Sequence, residues 1–266
     1  MAKINRDLLL LNTLKMRKKM DIFEAADLLK VSESTVRRIF ARLDQDGKVI
    51  RTHGGVTLIE DSGNGYSFEL LSLSHYNEKK AIGEKAYSLI KEGDVIYVDA
   101  STTVFTLCLS IAEELKSKPI NVRIFTNSLP NLEALLHSVP VTLIGGDYRP
   151  NRKDFAGYIS EITLSQLYFN KCFMGTDGYN KERGFTTTDF DTAKLNQIVA
   201  NNSDNVIVLC DSSKFNTCSV ITCIKSSQVN RVITDSGIDN VTYRNLRSDN
   251  IAVDIVQSPN EVMNEE

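Results

Sequence analysis

Apolar positions recur along the chain with two rhythms, and the change from one to the other divides it. In the first part the spacing is helical. Ile4, Leu8, Leu11 and Leu14 stand four, three and three residues apart and predict a helix with one apolar face. Asp21-Ile22-Phe23-Glu24 has the form of a capping box and starts a second helix burying Ile22, Ala26 and Leu29. Val31-Ser32 makes a tight turn without glycine or proline. Ser32 then caps a third helix, whose Val36, Ile39 or Phe40, and Leu43 point inward until Asp46-Gly47 ends it. Residues 48–58 read as two short β runs around Gly54-Gly55, a hairpin wing.

The second rhythm begins after a helix expected over about 76–91, which stops at Gly93. Short apolar runs at 95–98, 122–125, 141–144, 172–174, 206–210 and 232–233 alternate with helical stretches near 104–116, 129–137, 158–168 and 189–201. Strands that are apolar throughout, separated by helices, predict a mostly parallel sheet covered on both faces. Between them, residues 60–74 are rich in serine, glycine and acids, including Asp61-Ser62-Gly63-Asn64-Gly65, and read as a linker. The expected architecture is therefore α/β. A winged helix-turn-helix domain over 1–58 is followed by a linker over 59–75, a larger α/β domain over 76–258 and a tail over 259–266.

Charge separates the same two parts. Residues 1–58 carry twelve Lys/Arg against seven Asp/Glu, whereas the remainder holds nineteen basic and twenty-seven acidic residues. A basic module joined to an acidic one points to a polyanion partner for the first. No apolar stretch approaches the roughly 18 residues that would span a bilayer, and no signal peptide opens the chain, so a cytoplasmic protein without a membrane partner is expected. The five cysteines, Cys108, Cys172, Cys210, Cys218 and Cys223, are scattered and lack Cys-x-x-Cys spacing. They read as reduced core residues, with neither zinc site nor disulfide framework, and no metal or cofactor is indicated.

The third helix presents Ser34, Arg37, Arg38 and Ala41 outward, flanked by Thr35 and Arg42. Small hydroxyls at its start allow close approach to base edges, and arginine forks suit guanine or phosphate oxygens. Arg51 and His53 of the wing can reach the backbone or the minor groove. Ser32, Ser34, Thr35, Arg37, Arg38, Arg42, Arg51 and His53 are thus the candidate DNA contacts, although an arginine pair alone also fits a solvated face.

In a parallel sheet, ligands bind beyond the carboxyl ends of the strands. There this chain collects Asp99, Ser101, Thr102 and Thr103, then Thr126-Asn127-Ser128, Asp177, and Lys214. Hydroxyls and backbone amides at strand-to-helix transitions receive phosphate, lysine adds a cation, and carboxylates accept from sugar hydroxyls. Each residue singly also fits a helix cap or turn. Together they predict a pocket for a small, polar, phosphorylated molecule.

Val31-Ser32-x-Ser34-Thr35-Val36-Arg37-Arg38, with Leu43, Gly47 and Arg51-Thr52-His53-Gly54-Gly55, resembles the N-terminal signature of DeoR-type bacterial transcription regulators. Ile39-Phe40 stand where that family usually has Asp-Leu. The second half resembles the family's effector domain through Gly93-Asp94-x-Ile96, Asp99-x-Ser101-Thr102-Thr103, Thr126-Asn127-Ser128, Gly145-Gly146 and Gly157. Further matches are Gly175-x-Asp177-Gly178, Gly184-x-Thr186, Asp211-x-Ser213-Lys214-Phe215 and Thr234-Asp235, while Ala100 stands where a glycine is frequent. The resemblance spans about residues 4–256. It implies a fold similar to ribose-5-phosphate isomerase and a sugar-phosphate effector that weakens operator binding. By motif match, Asp99, Ser101, Thr102, Thr103, Asn127, Ser128, Asp177 and Lys214 would line that site.

The isomerase kinship supplies a rival reading, an enzyme interconverting aldose and ketose phosphates. Its pattern has a second Asp soon after the Asp-Gly pair and a Glu leading the later helix. Here Tyr179-Asn180-Lys181 follow Asp177-Gly178, and residues 184–200 contain only Asp189 and Asp191 as acids. The binding groups are present without the acid–base pair that enolisation needs, so a non-enzymatic regulator is expected. The expected partners are duplex operator DNA, a phosphorylated sugar, and further copies of the chain in a homodimer or homotetramer. Repression is the family's usual output, with activation the alternative.

Overall fold

Leu10, Leu11 and Leu14 on α1 (Lys3–Arg17) close the core of the first of two units into which the chain divides, Met1–Leu73 and Ser74–Glu266. The computed structural model describes residues 3–45, 48–52, 54–58 and 66–257. The side chains of Ile4 and Leu8, the Asp46-Gly47 stop, His53, residues 61–65 and the 259–266 tail fall outside that description.

In the first unit, α1 is followed by β1 (Lys19–Asp21), α2 (Ile22–Leu29) and α3 (Glu33–Gln45). The capping box forms as its residues dictate: Asp21 Oδ1 accepts from Glu24 N at 2.8 Å, and Glu24 Oε2 accepts from Asp21 N at 3.0 Å. The helix buries Ile22, Ala25 and Leu29, leaving Ala26 half-buried. Lys30 takes the left-handed position at its end (φ 51°), donating its N–H to the carbonyls of Ala26 and Asp27. Lysine thus fills the place usually given to glycine, which is how the turn forms without one. Val36, Ile39, Phe40 and Leu43 of α3 all enter the core. The wing strands β2 (Val49–Thr52) and β3 (Gly55–Leu58) pair antiparallel, and β1 joins β3 to give the order β1-β3-β2. Lys-Met-Asp carries no strand pattern of its own; the wing recruits it. Within the span read as linker, α4 (Phe68–Leu73) packs on α1 and puts Leu70 into this core, so the unit extends well past residue 58.

The second unit opens with α5 (Tyr76–Tyr87), β4 (Val95–Val98), α6 (Thr102–Ser117), β5 (Arg123–Thr126), α7 (Leu129–Leu135) and β6 (Val141–Leu143). It continues with the hairpin β7 (Asp147–Arg149) and β8 (Asp154–Ala156), then α8 (Tyr158–Ser165), β9 (Phe169–Met174), β10 (Gly178–Asn180), β11 (Gly184–Thr187), α9 (Phe190–Asn201) and β12 (Ser203–Leu209). Last come β13 (Ile221–Ile224), β14 (Arg231–Asp235), α10 (Asn240–Ser248) and β15 (Ala252–Val256). Seven strands form one sheet in the order β15-β14-β12-β9-β4-β5-β6, every described pairing parallel. Each strand alternates between two cores. Ile96, Val98, Phe173, Ile207 and Leu209 face Val104, Leu107 and Ile111 of α6, whereas Tyr97, Cys172, Met174, Val206 and Val208 face Leu164, Leu195 and Val199 of α8 and α9. This two-sided burial is why the strands read as unbroken apolar runs. The cysteines follow suit except one: Cys108, Cys172, Cys210 and Cys223 are buried, and Cys218 is exposed.

β4 and β9 lie side by side while the chain winds away from them in opposite directions, β5-β6 one way and β12-β14-β15 the other. The carboxyl ends of such a central pair form a crevice. A small antiparallel sheet, β10-β11-β13, accompanies it. Sequence periodicity left out that sheet, the β7–β8 hairpin and β15, because three- to five-residue strands with mixed polarity do not stand out from loops.

Candidate nucleic-acid face and ligand site

On α3 the apolar stripe fixes what faces outward. Ser32, Ser34, Arg37 and Arg38 are exposed and Thr35 is half-buried. The Ser32 hydroxyl is 3.0 Å from both the Ser34 and Thr35 hydroxyls, a polar knot at the helix start. Arg37 stands 4.0 Å from Glu33 and Arg38 donates to Thr35 Oγ1 at 3.4 Å. Both contacts are long and solvated, so each guanidinium can leave them for a stronger acceptor. Arg51 is exposed on β2, its amide held by Asp44 Oδ1 at 3.1 Å. Arg42 differs. It is half-buried and its guanidinium donates to both carboxylate oxygens of Asp7, which ties α3 to α1.

In the second unit the strand-end loops are laced together. Asp99 is buried, with Oδ1 accepting from Ser101 N and Oδ2 from Gly175 N, both at 2.8 Å. Burial pushes its carboxyl up to about 6, while those two amides pull it back. Gly175 is required here, since a Cβ would lie 2.3 Å from Ser101 Oγ. Asn131 Nδ2 donates to Asp99 O at 2.7 Å and to Thr126 Oγ1 at 3.1 Å, joining the β4 and β5 ends. Ser212 N donates to Asp235 Oδ1 at 2.7 Å, joining those of β12 and β14.

Several residues read from sequence as ligand contacts are committed to this lacing. Asn127 accepts from the Tyr97 hydroxyl at 2.9 Å and donates to Phe155 O at 2.8 Å. Ser128 is fully buried and caps α7, and Ser101, half-buried, caps α6 through Val104 N at 3.2 Å. Thr103 is buried in the first turn of α6. Asp177 accepts from Thr187 Oγ1 at 2.8 Å and from Thr188 N at 3.0 Å, which turns it toward the small sheet.

What gathers at α6 instead is a charged cluster. Lys79 of α5 is only 2% exposed, yet its ammonium donates to Thr102 Oγ1 at 3.1 Å. It reaches there because α5 and α6 pack backbone to backbone. A Cβ on Gly83, one turn beyond Lys79, would lie 2.6 Å from Thr106, and Thr106 Oγ1 donates to Lys79 O at 2.6 Å. Burial pulls the Lys79 ammonium down to about 8; the Asp211 carboxylate draws it up and the Lys214 ammonium draws it down. Asp211 is 1% exposed: Oδ1 accepts from Ser213, and Oδ2 is buried with no hydrogen-bond partner among the described residues. Lys214 is half-buried on the single 3-10 turn after β12. Two cations beside a helix N-terminus suit an anion, and the buried carboxylate oxygen suits a hydroxyl. Sequence reasoning missed Lys79 and Asp211 as ligand groups. The signal was a lysine on the buried stripe of α5, in line with Ile82, Gly83 and Ala86.

The carboxylates of the rival enzyme reading are differently placed. Burial raises Asp189, but hydrogen bonds from Thr192 and the Arg149 guanidinium outweigh it and bring it down to about 2, too acidic for an effective base near neutrality. Asp191 stands exposed, 3.5 Å from the same Arg149. No cluster of three or more metal-ligating side chains occurs among the described residues.

Two family descriptions match this chain, the DeoR-like helix-turn-helix domain over residues 6–62 and the DeoR C-terminal sensor domain over residues 74–236. The chain belongs to the DeoR family of transcriptional regulators. A lactose phosphotransferase system repressor of Lactococcus lactis is 33% identical, with 86% of this chain and 89% of that protein covered. A putative aga operon transcriptional repressor of Escherichia coli O157:H7 is 28% identical over 93% of this chain and 91% of its own length. Among solved structures, ribose 5-phosphate isomerase A from Methanocaldococcus jannaschii matches 53% of this chain and 55% of its own with TM-score 0.41 and 16% identity. A DeoR regulator binds DNA through its first unit and carries a sensor in its second. No helix among the described residues is long and apolar enough to cross a membrane.

Proposed function

We propose that the protein represses a sugar-metabolism operon and leaves its operator when a phosphorylated sugar occupies the sensor. The observation that carries this reading is the buried Lys79 ammonium at the N-terminus of α6, beside Lys214 and the unsatisfied Asp211 oxygen. A lysine kept out of water retains its charge beside compensating negative charge, and a phosphate at this point adds to what the Asp211 and Glu78 carboxylates supply. In this reading Lys79, Lys214, Thr102 and the first amides of α6 take the phosphate, and Asp211 takes a sugar hydroxyl. Asp99, Ser101, Thr103, Asn127, Ser128 and Asp177 hold the loops that shape the pocket. On DNA, Ser34, Arg37 and Arg38 of α3 enter the major groove, with Ser32, Thr35, Arg51 and His53 alongside, while Arg42 braces the helix. Relatives named as repressors of sugar operons support the same reading, under which the protein acts in the cytoplasm.

One helix-turn-helix makes too few contacts for operator affinity, so two or four copies act together on repeated half-sites. The test is a gel shift on the promoter region next to the protein's own gene, with and without a panel of phosphorylated sugars. Release by one phosphorylated sugar, and not by its unphosphorylated form, is the expected outcome. Retention with every sugar phosphate, or turnover of one of them by the purified protein, would overturn it.

A further inference from the structure

The first turns of α8 and α9 leave a hydrophobic face uncovered. Tyr158 is 75% exposed, Ile159 66% and Ile162 41%, and their spacing puts all three on one side of α8. Phe190, the first residue of α9, is 75% exposed. The two helices pack on each other, and Arg149 locks their starts together. It donates to Asp154, just ahead of α8, at 2.8 and 2.7 Å, to Asp189, the cap of α9, at 2.5 Å, and to Thr192 at 3.1 Å.

Ordinary solvated helices expose charge, and this one does not. Residues 155–170 contain a single charged residue, the half-buried Glu161, in a chain that is 24% charged. Tyr158, Ile159, Ile162 and Phe190 together expose roughly 500 Å², taking about 200 Å² for a large side chain. A stable interface removes about 800 Å² per partner, a little over half of it apolar. The face therefore supplies the apolar centre of one standard interface. Its α8 part carries no cation to offer nucleic acid, and its few charges, the half-buried Glu161 and the exposed Asp191 beside Phe190, the latter 3.5 Å from Arg149, leave little repulsion when it meets its own copy across a two-fold axis.

We infer that this α8–α9 face is where two copies of the chain dock sensor to sensor. The inference rests on the reading of the protein as a DNA-binding regulator that needs paired helix-turn-helix modules. It also gives the ligand pocket a route to the partner. Asn127, at the end of β5, exchanges hydrogen bonds with Phe155 (Phe155 N to Asn127 O, 2.8 Å; Asn127 Nδ2 to Phe155 O, 2.8 Å), and Phe155 stands three residues before Tyr158. A ligand that reorders the strand ends moves the start of α8, and with it the spacing between the two copies.

The experiment is sedimentation velocity on the full-length protein, wild type against the Ile159→Glu/Ile162→Glu double variant, with circular dichroism to verify folding. Both side chains are exposed in the single chain, so the variant is expected to fold. Its mass should fall to half the wild-type mass or less, and its affinity for the promoter fragment at least tenfold. Val241→Glu, at a 65% exposed position on α10, should leave the mass unchanged. A folded double variant with the wild-type mass would overturn the inference, whether the copies then meet elsewhere or the wild type is a monomer. A wild type that assembles through α8 yet ignores its promoter would sink only the DNA-binding reading.

Discussion

Lys79→Met separates binding from stability, because the structure assigns the ammonium opposite effects on the two. Methionine keeps the length and apolar stem of lysine and removes the charge together with the hydrogen bond to Thr102. Burial lowers the ammonium from 10.5 to about 8. At about 1.4 kcal/mol per unit, a charged Lys79 therefore costs the fold on the order of 3 kcal/mol. The sign follows from the direction. Because the folded pKa is the lower one, the cost is complete below pH 8 and disappears as pH rises toward 10.5. In the absence of effector, Lys79→Met should melt several degrees above wild type at pH 7, and the gap should narrow as pH approaches 10. The effector response should move the other way. Losing one charge-assisted hydrogen bond to phosphate is worth about 1.5–3 kcal/mol, so the concentration of sugar phosphate that releases the operator should rise roughly ten- to a hundredfold. Differential scanning fluorimetry across pH and a gel shift titrated with effector read the two effects separately. A variant that melts lower than wild type at pH 7, or that is released by unchanged effector concentrations, would refute the reasoning.

Arg38→Ala should weaken operator binding by about 1–3 kcal/mol while effector-induced thermal shifts persist; equal loss of both would point to misfolding instead. Arg42→Ala leaves Asp7 half-buried without its cation and should lower the melting temperature of the first unit. A double-mutant cycle with Asp7→Ala should return a coupling of about 1 kcal/mol or more, and a coupling near zero would remove Arg42 from its bracing role. Gly175→Ala drives a methyl group against Ser101, whose Oγ lies 2.3 Å from the position the new carbon would take. It should destabilise the sensor by roughly 1–3 kcal/mol, and Ser101→Gly should restore most of that in chemical denaturation, whereas an additive double variant would place the strain elsewhere.

Local signals were strong wherever neighbours in sequence are also neighbours in space. The capping box at Asp21, the stripe on α3 and the apolar strands of the central sheet all depend on one or two turns of chain, and all are legible without coordinates. So is the preference of hydroxyl and amide residues for strand ends. What those residues do there is not, because Asn127, Ser128 and Asp177 are as suited to a ligand as to Tyr97, Asn131 N and Thr187, and only the packed loops decide between them. Arg42 shows the same ambiguity on α3, where Asp7, thirty-five positions away, determines its role.

Residue order alone thus determined the two units, the basic helix with its exposed hydroxyls and arginines, and the parallel sheet, since periodicity and charge are properties of the chain itself. Tertiary packing decided the rest. Gly83 and Thr106 bring α5 onto α6 and so deliver a buried lysine to the ligand site; α4 leaves the expected linker for the first core; Arg149 ties Asp154, close to it in sequence, to Asp189 and Thr192 some forty residues on. Desolvation, long-range pairing and the competition of one polar group for several partners depend on distances that exist only once the chain has folded.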